Sequence, residues 1–175
     1  MASKMTELGD GMASNAQVSS TLADAQAFWA SVRDEIPMLS YMQTSLEAWD
    51  GESLCIAAPL APNTNDKSTA FAGSLATLAT VTGWAILTLW AKSQYVPCWV
   101  AAADSHIRYR KPVMSDFKAI AILPNADDLA GLKARIASHG RGRVSVQVIV
   151  QVIVQSAGGD ALTLEASYAV WPSES

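Results

Sequence analysis

Between Lys67 and Lys92 the chain runs for 24 residues without a charge, and Leu75, Leu78, Val81, Trp84, Ile86, Leu87, Leu89 and Trp90 make the stretch strongly apolar. Such a segment has two physical destinations. About 20 apolar residues are enough to span a bilayer, but a helix apolar nearly all round is also what the centre of a soluble core requires. The stretch holds Ser68, Thr69, Ser74, Thr77, Thr80, Thr82 and Thr88 with two glycines, and the chain has no second span to partner it. These features favour a buried helix over a membrane segment. A helix of that kind must be covered, and the rest of the sequence has to supply the cover.

Most of that cover reads as strands. Residues 43–49 and 52–60 flank Asp50-Gly51, a two-residue hairpin signal, with Leu54, Ile56, Ala58 and Leu60 on one face. Residues 98–110, as one bent strand, and 116–123 follow, then a short helix over 126–138 that ends at Gly140. Residues 143–155 alternate, with Val144, Val146, Val148, Val150, Val152 and Val154 facing one way and Ser145, Gln147, Gln151 and Gln155 mostly the other. The repeated Gln-Val-Ile-Val at 147–154 is too short to mean a repeat architecture. Uncharged and β-prone, it must be protected inside a sheet. Gly158-Gly159 turns the chain into a last strand carrying Leu162, Leu164, Ala166, Tyr168 and Val170 on one face. At the other end, residues 1–20 read as a loose tail. Thr21 and Asp24 form a capping box for a helix through Phe28, Trp29 and Val32, which Pro37 interrupts. The expectation is one α+β domain over 21–175: about six antiparallel strands curved around a long central helix.

Composition narrows the function classes. Half of the 175 residues are hydrophobic and 16% are charged, which suits a packed core and not a disordered chain. Two cysteines, Cys55 and Cys98, have neither metal-ligand spacing nor the number for a disulfide scaffold, and a reduced, cytoplasmic setting is expected. A net charge of −4 argues against nucleic acid as a partner. Residues 105–143 nevertheless carry eight cations against three acids, a net of +5, while the remainder carries four against thirteen, a net of −9. That stretch either presents a patch to an anionic partner or consists of ordinary solvated charges.

No Gly-rich phosphate loop, nucleophile elbow or His-Glu-x-x-His motif is present, and no cofactor or metal is called for. Both cysteines sit in apolar, strand-like settings that suit structural thiols. The one dense polar cluster is Pro62-Asn63-Thr64-Asn65-Asp66-Lys67-Ser68-Thr69, directly ahead of the apolar helix. The first turn of a helix exposes unpaired N–H groups at the positive end of its dipole, where developing negative charge on oxygen is stabilised. An Asn amide nearby adds a donor, and Gly73 allows a ligand close to the backbone. The same residues are equally those that make turns and cap helices.

The motifs Ala-Pro-Leu-Ala-Pro-Asn-Thr-Asn (58–65), Thr-Ala-Phe-Ala-Gly-Ser-Leu (69–75), Thr-Gly-Trp (82–84) and Ala-Asp-Ser-His-Ile-Arg-Tyr-Arg-Lys-Pro-Val (103–113) closely resemble the thioesterase family typified by the C-terminal domain of YiiD, over roughly residues 23–172. The resemblance implies a hotdog fold, a homodimer or dimer of dimers with thioester sites between subunits, and an acyl thioester of acyl carrier protein or CoA as substrate. In related hotdog thioesterases an Asn stands six residues before a His-Gly-Gly that opens the central helix. Asn65 holds that Asn position here, and Phe71, Ala72 and Gly73 stand where His-Gly-Gly would be. By this resemblance Asn65 and the backbone near Gly73 bind the thioester carbonyl. Asn63 and Asp66 are further catalytic candidates, and Phe71 and Ser74 are candidate substrate contacts.

Many of these enzymes place a carboxylate, as base or nucleophile, about seven residues beyond the last Gly. Thr80 occupies that position here. Thr is a poor base, so hydrolysis would need a substitute, with Asp66 first in line. Decarboxylating a malonyl thioester needs only stabilisation of an enolate oxygen and a later proton, and members of the resembled family are linked to converting malonyl-ACP to acetyl-ACP. Decarboxylation is therefore the first expectation, thioester hydrolysis the second, and a non-catalytic acyl-carrier module the third. His106 shares a strand face with Asp104 and is a candidate contact or part of a strand-edge ion network. Arg141 and Arg143, in a loop freed by Gly140 and Gly142, are candidate phosphate contacts.

Overall fold

The computed structural model describes residues 21–94, 97–152 and 160–173. Helix α1 (Leu22–Glu35) opens on a complete capping box: the Thr21 hydroxyl accepts from the Asp24 N–H, and the Asp24 carboxylate accepts from the Thr21 N–H. It stops at Ile36 because Pro37 takes the first position of α2 (Pro37–Tyr41). Strands β1 (Ser45–Trp49) and β2 (Ser53–Ala58) follow as an antiparallel hairpin with an irregularity between Leu46 and Ala48. The turn between them is longer than Asp50-Gly51 alone. The Asp50 carboxylate accepts from the Glu52 and Ser53 N–H groups, and Gly51 takes a φ of +94°. Strand β2 ends two residues before Leu60, whose N–H donates to the Asp116 carboxylate and whose side chain packs against the same core from beyond the strand.

The uncharged stretch forms α3 (Ala72–Ser93). Strand β3 (Cys98–Tyr109) is one long strand with its bend at Ala102–Asp104, followed by β4 (Phe117–Ile122). Helix α4 (Ala126–His139) is capped by the Asn125 side chain and closed by Gly140 at φ +70°. Strands β5 (Gly142–Val152) and β6 (Leu162–Pro172) complete a six-stranded antiparallel sheet in the order β1-β2-β4-β5-β6-β3. Residues 1–20, Val154, Gln155 and the Gly158-Gly159 turn lie outside the described residues.

The sheet curves around α3, which touches β2 through β6, and the arrangement is a hotdog fold. Period-two patterning decides which residues face the helix. Leu54 and Ile56, Phe117 and Ala119, Val144, Val146 and Val148, and Leu162, Leu164 and Tyr168 are all buried in one core with Leu78, Ile86 and Leu87 of α3. Although α3 is long and apolar enough to cross a membrane, the sheet covers it as the core helix. On its other flank Phe28 of α1 stacks on Trp84 with ring centres 5.9 Å apart, and the Lys92 ammonium lies 4.4 Å from the Phe28 ring. The β-prone strand β5 is paired with β4 over Gln147–Val152 and with β6 over Gly142–Val150, so both of its edges are covered over Gln147–Val150. Strand β3, by contrast, closes the sheet as an edge 12 residues long.

Candidate active site at the start of the central helix

The loop ahead of α3 is built by its two asparagines. Asn63 is buried, and its amide donates to the Met42 carbonyl at 3.0 Å and the Pro59 carbonyl at 2.8 Å. Its backbone carbonyl accepts from the Phe71 N–H at 2.7 Å. These bonds hold both ends of the loop to the body of the protein. Asn65, half-buried, organises the interior: its side-chain oxygen accepts from the Lys67 and Thr69 N–H groups, and its amide donates to the Thr69 hydroxyl at 2.9 Å. An Asn amide carries two hydrogens, and this bond uses one. Asp66 stands at the exposed tip in an ion pair with Lys67 at 2.9 Å.

The helix then begins without a side-chain cap. Its first N–H groups, on Ala72, Gly73 and Ser74, have no intrahelical acceptor by helix geometry. The half-exposed Phe71 ring folds over Gly73 so closely that a Cβ there would collide with it. The ring therefore lies beside the first turn that presents these donors. Beyond Gly73, positions four, seven and eleven residues on bring Thr77, Thr80 and Trp84 to the same helix face. They line a groove of about 460 Å³ with Ile36, Ala76, Val81 and Ala102. None of these seven side chains is ionisable. Thr80 thus faces the groove, and its carbonyl accepts from the Tyr168 hydroxyl at 2.9 Å.

Asn65, Phe71, Gly73 and Ser74 accordingly lie at the start of α3, with Asn63 beneath and Asp66 at the outer tip, and Thr80 lines the groove about two turns further along the helix. His106, Arg141 and Arg143 are not part of this region. His106 pairs across the ladder with Glu165, an exposed residue between buried Leu164 and Ala166, so it lies on the sheet face turned away from α3. Arg143 shares that outer face, opposite Ala169. The cause is the strand alternation together with the direction of the ladder. Gly142 pairs with Val170 while Tyr109, beside the start of α3, pairs with Leu162, a separation of eight β6 residues or about 26 Å.

The cysteines are elsewhere too. Cys55 alternates with buried Leu54 and Ile56 and pairs with Ile120, and Cys98 lines a second cavity of about 260 Å³ with Trp90, Lys133 and Ile136. Burial pushes both thiols up, the reverse of what an activated nucleophile needs. Among the described residues, no three His, Cys, Asp or Glu side chains meet at metal-ligand distance. One nearby group was not singled out from sequence. The Tyr109 hydroxyl donates to the Ala72 carbonyl at 3.2 Å, in the first turn of α3. Its place inside the Arg-Tyr-Arg-Lys run drew attention to charge, whereas strand alternation would have turned its ring toward the helix.

Comparison with known proteins agrees with this fold. A family model described as "Putative thioesterase (yiiD_Cterm)" matches residues 25–171. Among solved structures, a protein of unknown function from Chlorobaculum tepidum superposes with a TM-score of 0.78 at 25% identity, covering 87% of this chain and 94% of that one. A putative thioesterase from Shewanella oneidensis reaches 0.71 at 28% identity, covering 86% and 97%. A Pseudomonas aeruginosa protein described as a probable thioesterase reaches 0.73 at 19% identity, covering 88% and 97%, and supports the fold. The chain belongs to the YiiD C-terminal thioesterase family.

Proposed function

We propose that this protein acts on acyl thioesters and that its reaction is decarboxylation of a malonyl thioester, carried by acyl carrier protein or CoA, to the acetyl thioester. Family membership supports the thioester class. The choice of reaction rests on one observation: an uncapped helix N-terminus stands one turn ahead of a groove whose lining holds no ionisable side chain. Such a site stabilises an oxyanion but offers no base to activate water. The Ala72–Ser74 N–H groups bind the thioester oxygen, and the second Asn65 N–H completes the donor set. Loss of CO₂ leaves an enolate whose oxygen sits among these donors. Asn63 holds the loop, and the apolar lining of the groove receives the acyl region.

Thioester hydrolysis is the second reading, favoured by the family description. Its base would have to come from outside the groove lining, either Asp66 or a residue of a second copy. Pairing of two copies along the long β3 edge, beside the groove mouth at Ala102, accords with the homodimer implied by the resemblance. The basic segment Arg108–Lys111, ending next to the site, suits an acidic carrier protein or a phosphate-bearing thioester arm, and Arg141 and Arg143 would serve only a site shared between copies. A cytoplasmic setting accords with a substrate of this kind.

Mass spectrometry of malonyl, acetyl and longer acyl thioesters of carrier protein and CoA after incubation with the protein tests the proposal. Acetyl thioester formed from malonyl without free thiol is the expected result. Free thiol from the acyl substrates establishes hydrolysis instead, and binding without turnover leaves a carrier-binding module.

A further inference from the structure

Tyr109 is the last residue of β3 and pairs with buried Leu162, which places its ring on the sheet face that holds α3. Its hydroxyl donates to the Ala72 carbonyl at 3.2 Å while the side chain remains 53% exposed. In an α-helix that carbonyl also accepts from the N–H four residues on, so the Tyr109 bond is long, secondary and easily exchanged for a ligand. The chain just beyond Tyr109 is held in place as well, since the Val113 carbonyl accepts from the Ala70 N–H at 2.8 Å. The hydroxyl is therefore fixed beside the same helical turn that presents the Ala72, Gly73 and Ser74 donors.

An enolate leaves one chemical need unmet by those donors. Its oxygen can rest on the N–H groups, but its terminal carbon, two bonds away, must still receive a proton. The neighbouring groups supply it poorly. Thr77 and Thr80 are aliphatic alcohols, weaker acids than a phenol. Asp66 is exposed and paired with Lys67, and His106 is on the far face of the sheet. The Tyr168 hydroxyl is committed to the Thr80 carbonyl, and burial holds it protonated far beyond the usual tyrosine range.

We infer that Tyr109 is a catalytic residue, the proton donor to the enolate carbon, an assignment that rests on the decarboxylase reading. The bond between the substrate's α-carbon and its carboxylate breaks, CO₂ leaves, and the electron pair passes into the enolate. The carbon–carbon π pair then takes the Tyr109 proton to form the new C–H bond as the thioester carbonyl reforms. The phenolate regains its proton from water, so no oxidant, reductant or further reactant is needed.

The test is Tyr109→Phe in the full chain with malonyl thioester as substrate. The expected result is a fall in kcat of about a hundredfold or more, with KM and affinity for the acetyl thioester within about twofold of wild type. A second readout is specific to the missing proton. With ¹³C-labelled CO₂ in solution, the longer-lived enolate takes CO₂ back, and label enters the remaining malonyl thioester with the variant but not with wild type. A kcat close to wild type without label exchange overturns the assignment. So does a loss of turnover matched by loss of acetyl-thioester affinity, which would mark a structural role. Tyr109→Met, which also lacks the hydroxyl, carries the same test if the Phe variant proves unstable. Wild-type protein that leaves malonyl thioester intact refutes the decarboxylase reading itself, and that result is visible before any variant is made.

Discussion

Asn63 and Asn65 stand two positions apart and have opposite duties. Asn63 has spent both amide hydrogens on the Met42 and Pro59 carbonyls in a buried setting, so Asn63→Ala strands two acceptors and should lower stability by about 1–3 kcal/mol. Asn65 keeps one amide hydrogen unspent at a half-exposed position, and Asn65→Ala should abolish turnover while the melting temperature moves far less. Thermal melts and product assays on the two variants separate the roles. Unchanged turnover in a folded Asn65→Ala protein removes that residue from the mechanism. Deeper in the core, the Tyr168 ring fits against α3 only because Gly83 has no Cβ, which would collide with the Tyr168 hydroxyl. Gly83→Ala should cost about 1–3 kcal/mol through overpacking, read as a lower denaturant midpoint.

For the elements, α3 carries the argument from sequence to chemistry. Its apolar length was legible in the uncharged stretch, and its start was marked by the polar cluster ahead of it. The groove along one flank was not legible, because it depends on Ile36 from the end of α1 and Ala102 from β3 approaching the same helix face. The absence of a carboxylate from that groove makes a directional prediction. Thr80→Asp introduces the missing group where the resemblance places one, and free thiol should appear from acetyl thioester as malonyl decarboxylation falls. No gain in hydrolysis would mean that position 80 does not face the reacting carbonyl. The β-prone valine strand behaves as its composition demands over Gln147–Val150, where β4 and β6 pair with it on either side.

On the scale of the molecule, two properties follow from the sheet as a whole. The first is the β3 edge, long and bounded by no further strand, which predicts association of two copies. Light scattering should give a mass near twice the 18.5 kDa chain, and a strictly monomeric protein would contradict pairing along β3. The second is the alkaline limit of stability. Burial raises the Tyr168 hydroxyl well above the ordinary tyrosine value, so the folded protein retains a proton that the unfolded chain gives up. That contribution is fully present below pH about 10 and is lost as the pH climbs further. Denaturation midpoints measured across the alkaline range should fall for wild type and fall less steeply for Tyr168→Phe.

Local patterning, by itself, determined a great deal here: the capping box at Thr21, the break at Pro37, the helix through the uncharged stretch, the alternation of Val144, Val146 and Val148, and the loop that prepares the start of α3. Each depends on neighbours a few residues apart, and period and turn chemistry act at that range. Tertiary structure alone decided which strands became neighbours and which of their ends met. It turned His106 outward through its pairing with Glu165 and set Arg141 and Arg143 at the far end of the ladder. It also brought Tyr109, 37 residues away in sequence, to the carbonyl of Ala72. The physical reason is that the order of strands in a sheet, and so the company a side chain keeps across it, is settled by burying α3 as a whole and not by any segment's own sequence.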